Sequence, residues 1–477
     1  MTDAQPDPRR FLILAICCMS LFIVSLDATV VNIALPSIHT DLHASVSQLQ
    51  WTIDAYTLTL ASLLLLSGST ADRLGRARIF KVGLSLFTAG SLLCSVAPNT
   101  QLLIVFRVLQ AIGGSMLNPV AMSIIRNTFD DPRERAQAIG IWGAVIGLGM
   151  ALGPVLGGLL VQVVGWRSIF WVNVPVGIAA IVLTARFVPE SRAHRARRVD
   201  PLGQVLVIAL LGSLTYGIIE APKHGWLSGE TIGLFAFALV MLILLVAQEL
   251  RRFEPLIDVR FFRSAPFTGA TLTAIFAFAS LGSFLFLNTL YLQEGRGLSP
   301  LDAGLWTLPM AAMIVIFAPI SGRLVARAGA RPSLAFGGAA MTAGALLLTD
   351  VSPTTSMAHL FLSYALFGIG HGFVNAPITD TAVSGMPAEQ AGVAAAVAST
   401  SRQTGSSLGV ALSGAVAVPA VAVASATQIA SSAHSGWWIV VGCATMIFVL
   451  AFATTSHWAR GTAERVAVQL SRQTARA

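Results

Sequence analysis

Apolar runs of about 20 residues recur along the whole chain, separated by short polar connections, and each is long enough to cross a hydrocarbon core of about 30 Å as an α-helix. The pattern predicts helices near 11–36, 49–67, 82–97, 101–124, 137–161 and 168–188, then a pair near 201–220 and 231–250. Six more follow near 267–292, 302–322, 333–350, 358–379, 390–415 and 434–456. Six, two and six make fourteen spans. The expected architecture is an all-α membrane protein with an N-terminal six-helix bundle (1–190), a linker carrying two additional transmembrane helices (191–264), and a C-terminal six-helix bundle with a cytoplasmic tail (265–477). The first run is too long for the apolar core of a signal peptide and lacks a small-residue cleavage site, so it is read as a membrane helix.

Composition agrees. Only 11% of residues are charged and 55% are hydrophobic, whereas a soluble domain carries roughly 25% charged residues. The net charge of +8 invites a nucleic-acid partner, but its distribution argues against one. Of the 30 Lys and Arg, only Arg167, Lys223 and Arg296 fall in connections on the far side, and only Arg107 and Arg402 fall within helices. That bias orients a membrane protein with both termini in the cytoplasm. Cys17, Cys18, Cys94 and Cys443 all sit in apolar runs without metal-ligand spacing. His39 and His43 are four apart but are read as a solvated loop turn, since no further ligand is near. No metal or cofactor is expected.

The informative residues are the few charges inside the apolar runs. Asp27 is the only charge in Phe11–Pro36, and Asp54 lies one turn inside the second helix. An ionised side chain at a helix centre costs about 2.5–3.5 kcal/mol unless a partner or a water-filled cavity receives it, so each is a functional-site candidate. Arg107 is a permanent cation in the fourth helix, beside Gln110, and must pair with something. His371 is read as a packing histidine, and Glu220 and Glu294 as vestibule charges at outer helix ends. Trp142, Trp306, Phe284, Phe286 and Tyr291 are available for apolar and cation–π contacts, with no assignment among them.

The two halves read as a diverged duplication. At a nearly constant offset, Gly68 and Gly75 match Gly322 and Gly329, Gly113 matches Gly368, and Gly149, Gly153 and Gly158 match Gly405, Gly409 and Gly414. The differences are charged: Asp27 becomes Gly282, Asp72 becomes Ala326 and Arg107 becomes Leu362. Proton chemistry is therefore expected in the first half.

Several motifs then fall in order: LDATVVNIALP at Leu26–Pro36, WTIDAY at Trp51–Tyr56, and Gly68–Arg78 fitting G-x-x-x-D-R-x-G-R-x-R. RVLQAIG at Arg107–Gly113 fits R-x-x-Q-G-x-G except at Ala111, and GMALGPVLGG at Gly149–Gly158 fits an antiporter pattern. WRSIFWVNVPVG at Trp166–Gly177 and RQTGSSLGVA at Arg402–Ala411 complete the set. Together they resemble the major facilitator superfamily, and within it the fourteen-helix drug:proton antiporters.

The resemblance implies a major-facilitator fold and a proton-coupled secondary active exporter of hydrophobic, often cationic, drugs or toxic compounds, working by alternating access in the cell membrane as a monomer. It implies proton coupling through Asp27, Asp54 and Arg107, with Asp27 and Asp54 also meeting substrate. Helices 1 and 4 are neighbours in that fold, so Asp27 is a plausible partner for Arg107, while Arg402 is expected to order backbone or glutamine contacts. Asp72, Arg73, Gly75 and Arg76 are implied as a cytoplasmic latch favouring the outward-open state, in a loop spanning Gly68–Lys81. Gly149, Gly153 and Gly157 make a bare helix face, bent by Pro154, which with Gly158 is implied to seal against the partner half. Two rival readings are a dedicated exporter of one endogenous metabolite or antibiotic, and a non-transporting scaffold or sensor. A scaffold gives no reason for buried acids, and no enzyme motif stands out.

Overall fold

The computed structural model describes residues 9–192, 200–252, 255–384, 386, 391–421 and 426–474. The basic run that follows the sixth predicted span lies outside the described residues at 193–199, as do Phe253 and Glu254 of the segment opening the second half. Among the described residues the chain is helical throughout, with no strand. In order the helices are α1 (Arg10–Leu42), α2 (Val46–Leu74), α3 (Arg76–Ser95), α4 (Thr100–Thr128), α5 (Pro132–Val163), α6 (Ser168–Trp171) and α7 (Asn173–Phe187). A hairpin of α8 (Pro201–His224) and α9 (Gly229–Arg251) follows. The second half comprises α10 (Ala265–Leu290), α11 (Pro300–Trp306), α12 (Leu308–Ala328), α13 (Ala330–Leu346), α14 (Met357–Val383), α15 (Ala391–Val421) and α16 (Ala426–Ala453). The chain closes with α17 (His457–Thr474).

Twelve helical stretches among the described residues are long and apolar enough to cross a membrane. The two expected spans outside that set are α13, with 17 residues, and α15, which is rich in Ser, Thr and Gly and carries Arg402. Helix ends follow local chemistry. The Ser45 hydroxyl accepts from the Gln48 N–H while the Gln48 side chain accepts from the Ser45 N–H, starting α2. Asn99 caps α4, and Asp131 caps α5 just ahead of Pro132.

Three expectations change. The outer loop carrying His39 is the last turn of α1, where the His39 ring pairs with the Ala44 carbonyl at 2.7 Å. Gly68–Lys81 is not a loop: α2 runs to Leu74, α3 begins at Arg76, and Gly75 alone turns the chain with φ of 113°. Only glycine takes that conformation without strain. The tail after the last span is the separate helix α17, which docks by the Thr462 hydroxyl accepting from the Ala265 N–H at 2.8 Å.

Packing repeats between the halves. α1 lies on α5 as α10 lies on α15; α4 packs on α2 and α3 as α14 packs on α12 and α13; α7 packs on α3 as α16 packs on α13. The α8–α9 hairpin leans on α2 and α15, the helices through which the halves meet most closely. Because every traversal reverses direction, one end of the bundle gathers the starts of α1, α5, α10 and α15 (the terminal end). The other gathers the starts of α2, α4, α11 and α14 (the distal end).

The halves touch at the distal end. Gln50 near the start of α2 donates to the Val410 and Ala411 carbonyls of α15, at 3.1 and 2.9 Å. Gln293 donates to the Ile33 carbonyl at 2.8 Å, and the Leu301 N–H reaches Gln162 at 3.3 Å. Toward the terminal end the two sides part: side chains added at Gly140, Gly143 and Gly147 of α5, or at Gly322 of α12, would meet nothing within 4 Å.

Candidate functional site

α1 brings Asp27 to its midpoint, and α4 brings Arg107 opposite. Arg107 Nη1 donates to Asp27 Oδ2 at 2.5 Å and to Gln110 Oε1 at 2.8 Å, while its Nε donates to the Thr52 carbonyl of α2 at 3.1 Å. The second carboxylate oxygen of Asp27 accepts from Gln110 at 2.8 Å and from Asn173 of α7 at 3.2 Å. Ser91 of α3 accepts from both amides, at 2.7 and 3.4 Å. The guanidinium carbon sits 4.1 Å from the Tyr56 ring centre and 5.7 Å from that of Phe170. Asp27 is 0% exposed and Arg107 1%. Six helices thus converge on one fully enclosed ion pair in which both carboxylate oxygens and the guanidinium Nε and Nη1 are hydrogen-bonded. Such a pair tolerates burial because each charge finds both an opposite charge and neutral dipoles.

Asn173 and Ser91 are the members that sequence reasoning missed. Asn173 stands inside the Trp166–Gly177 motif and is a polar residue in an apolar run, which was a usable signal; Ser91 is an ordinary small helix residue and gave none.

Asp54 is elsewhere. It is fully buried on α2 against α15, beside Ser407, with Oδ1 accepting from Thr57 at a long 3.4 Å and Oδ2 without a hydrogen-bond partner. The structure therefore brings Asp27 and Arg107 together, but not Asp27 and Asp54. One carboxylate is saturated inside a half, and the other lies unsatisfied at the seam between halves.

At the equivalent place in the second half the fold keeps its packing and drops its charge. Gly282, matched to Asp27 by sequence offset, is pressed on Ser406 of α15. Leu362, matched to Arg107 by the same offset, is exposed; by burial pattern the place that Arg107 holds on α4 belongs on α14 to Tyr364. These repeated halves around an asymmetric polar centre match one family: the sequence pattern of the Major Facilitator Superfamily covers residues 17–410. The chain belongs to the major facilitator superfamily.

Among relatives of this facilitator, the multidrug resistance protein Stp of Mycobacterium tuberculosis (strain CDC 1551 / Oshkosh) is 39% identical over 399 residues, spanning 83% of this chain and 74% of that protein. The tetracenomycin C resistance and export protein of Streptomyces glaucescens is 38% identical over 398 residues, with 83% and 74% covered. The methylenomycin A resistance protein of Streptomyces coelicolor (strain ATCC BAA-471 / A3(2) / M145) is 36% identical over 400 residues, with 82% of each covered. Solved structures share the fold at low identity. The peptide transporter POT in complex with sulfate gives a TM-score of 0.68 at 15% identity over 95% of both chains. The D-xylose–proton symporter gives 0.66 at 14%, over 93% of this chain and 97% of that one.

The remaining motifs of this facilitator occupy two places. At the terminal end, Arg76 Nε and Nη2 hold Asp72 Oδ1 at 3.0 and 2.8 Å, and Arg73 is exposed. Glu190 caps α3: its carboxylate accepts from the N–H groups of Ala77 and Arg78, both at 3.0 Å, where the helix dipole favours a negative charge. A side chain at Gly75 would strike that carboxylate at 2.6 Å. Glu190 had been visible in the sequence only as the start of a basic run.

The glycines of α5 do not seal against the partner half as expected. A Cβ at Gly149 would meet Ser25 at 2.9 Å, and Gly153 and Gly157 press likewise on Thr29 and Val30, so this face is the tight contact with α1 inside the first half. Gly405 and Gly409 press on Ile275 and Ala279 of α10 in the same way. Of the α5 set, only Gly158 and Pro154 meet the second half, at Pro300 and Gly304. Pro36, Pro119 and Pro154 all lie inside helices.

Among the described residues no group of His, Cys, Asp or Glu is placed to hold a metal ion. An apolar groove of about 450 Å³ between α1, α5 and α7, lined by Phe11, Met19, Phe22, Val145 and Leu148, contains none of the charged residues above.

Proposed function

We propose that this chain is a proton-driven exporter of hydrophobic compounds, working in the cell membrane by alternating access between residues 1–190 and 265–477, with 191–264 as a two-helix linker and fourteen crossings in all. The observation that carries the reading is the enclosed Asp27–Arg107 pair, which among the described residues has no counterpart in the second half. A charge pair is not needed for this fold, since the second half repeats the same helix contacts without one among the described residues. Names of the relatives support the direction of transport: multidrug resistance, antibiotic resistance and export.

With the positive-inside bias placing the terminal end in the cytoplasm, the conformation described is inward-facing: sealed outside, parted inside. Asp54, buried at this seam beside Ser407 with one carboxylate oxygen lacking a hydrogen-bond partner, is the acid placed to exchange a proton as the seam opens. When the seam between α2 and α15 opens outward, Asp54 is exposed to the acidic side and the substrate site, and the proton equilibrates there. Asp27 and Arg107 couple the halves' movement to protonation. A proton on Asp27 cancels its charge, weakens its hold on Arg107, and frees Thr52, Gln110 and Asn173 to shift together. Each conformational state is thus favoured by one charge distribution, which is the differential interaction a two-state transporter needs. Asp72, Arg73, Gly75 and Arg76 act in the opposite state, where Asp72 leaves Arg76 for the partner half.

The chain is proposed to act as a monomer within the lipid bilayer, without cofactor, metal or nucleic acid. Purified protein in liposomes under an imposed pH gradient should move a lipophilic cation such as ethidium with counterflow of protons. Asp27→Asn should insert normally and lose the coupling. Proton-driven transport undiminished in Asp27→Asn would remove the central role of this residue.

A further inference from the structure

In the second half a cation within a membrane-spanning helix has no counter-charge among the described residues. Arg402 on α15 makes no ion pair among the described residues, and its side chain has one hydrogen bond there, from Nη2 to the Thr379 hydroxyl of α14 at 2.6 Å. Its Nε is buried and has no partner. Asp380, the next residue on α14, is exposed and does not pair with it. The contrast with Arg107, which spends its donors on a carboxylate, an amide and a carbonyl, is direct. A guanidinium has five N–H donors in a planar fork shaped for a carboxylate.

A second unsatisfied group lies beside it. His371 on α14 is 3% exposed, and its Nδ1 has no partner. Both residues lie beside Phe278 of α10: the His371 ring stands edge-on to it at 5.2 Å, and the Arg402 guanidinium lies 5.9 Å from its centre. His371, Asn375 and Thr379 follow one another at four-residue steps, so they form a polar stripe along α14. His371 is buried, while Asn375 and Thr379 are exposed. The stripe therefore opens progressively toward the terminal end, the end at which the halves part.

We propose that Arg402 and His371, both beside Phe278, form an anion subsite that takes the carboxylate of an aromatic or otherwise apolar acid on its way out. This rests on the export reading and adds a substrate class to it. Arg402 supplies the permanent charge, His371 a second donor, and the Phe278 ring a surface for the compound's apolar body. The acid enters along Asn375 and Thr379. In the first half the cation within the helices, Arg107, is already neutralised by Asp27. Arg402 thus leaves an uncompensated positive charge between α14 and α15. Compounds with a carboxylate, or with both charges, fit that field better than simple cations do.

The test uses two probes of one ring system and opposite charge, 1-naphthoate and 1-naphthylmethylammonium, with the purified full-length protein. Binding is measured by titration calorimetry, and transport in liposomes under a pH gradient. The wild-type chain should bind 1-naphthoate, and Arg402→Gln should weaken that binding by about tenfold or more, as for a lost charge-assisted hydrogen bond. Arg402→Lys should restore part of it, since the charge remains and the fork does not. His371→Leu should weaken binding by a smaller factor, and it stands in if Arg402→Gln does not fold. Naphthoate binding that is unchanged in Arg402→Gln, or in His371→Leu when only that variant folds, overturns the subsite. So does a wild-type protein that binds only the ammonium probe. If naphthoate binds through Arg402 but neither probe is moved by a pH gradient, the subsite stands and the export reading fails.

Discussion

Arg107 Nη1 lies 2.5 Å from Asp27 Oδ2, and the pair is closed off from every solvent-reaching surface of the chain. Two charges with this geometry depend on each other more than on the fold around them. Losing one leaves the other buried and unpaired, a change of about 3–5 kcal/mol in comparable sites.

Arg107→Gln and Asp27→Asn should each lower the melting temperature in detergent. Asp27 in the first variant retains only the Gln110 and Asn173 amides, and Arg107 in the second retains the Thr52 carbonyl, Gln110 and the Tyr56 face but no counter-charge. The double variant should be less destabilised than the sum of the two, with a coupling of about 1–3 kcal/mol in a double-mutant cycle. Additive effects would show that the pair is not an energetic unit.

Helix α5 makes a contrast between its two sets of glycines. Gly153→Leu drives a side chain into Thr29 of α1 and should abolish expression of folded protein. Gly143→Ala enters open space and should leave yield and melting temperature unchanged or slightly raised, because alanine is the better helix former by about 1 kcal/mol. Size-exclusion profiles of the two variants distinguish them directly.

The distal seam rests on Gln50, whose side chain bridges to two carbonyls of α15. Gln50→Leu should weaken the closed seam by about 1–3 kcal/mol, through the loss of two hydrogen bonds across it, while both carbonyls keep their helical partners. Spin labels on the distal ends of α2 and α15 should then report a longer distance population. An unchanged distribution would mean that Gln293 and Gln162 hold the seam alone.

At the terminal end, Glu190 caps α3 and Asp72 pairs with Arg76. Glu190→Ala should cost about 1 kcal/mol through the lost cap and leave the balance of conformations alone. Asp72→Asn should leave stability nearly untouched, since the Arg76 pair is partly exposed, and should shift labels across α5 and α12 toward the terminal-open distance. If both variants behave alike, the latch is only a structural cap.

Chain direction is checked at the tip of the α8–α9 hairpin. A single cysteine replacing Lys223 should be labelled by an impermeant maleimide from outside the cell. Labelling only after lysis would invert the proposed orientation.

What the sequence determined by itself was everything that depends on spacing and on transfer from water. Apolar runs of membrane length set the helices, the bias of Lys and Arg set an expected orientation, and glycines recurring at a constant offset disclosed the duplication. Asp27 and Arg107 stood out because charge in hydrocarbon is expensive wherever it lies, and that cost is a property of composition. The tertiary structure alone decided which groups receive those charges. Asn173, Ser91 and Thr52 come from three other helices, and although Asn173 stands out as polar in an apolar run, nothing local says which charge it meets. It likewise showed that Gly149, Gly153 and Gly157 face α1 rather than the partner half, since a bare helix face fits any close neighbour equally well in sequence. Asp27 and Asp54 looked equivalent as two acids in adjacent spans. Packing made them different, one saturated within a half and one empty-handed at the seam, because hydrogen-bond satisfaction depends on contacts between residues far apart in the chain.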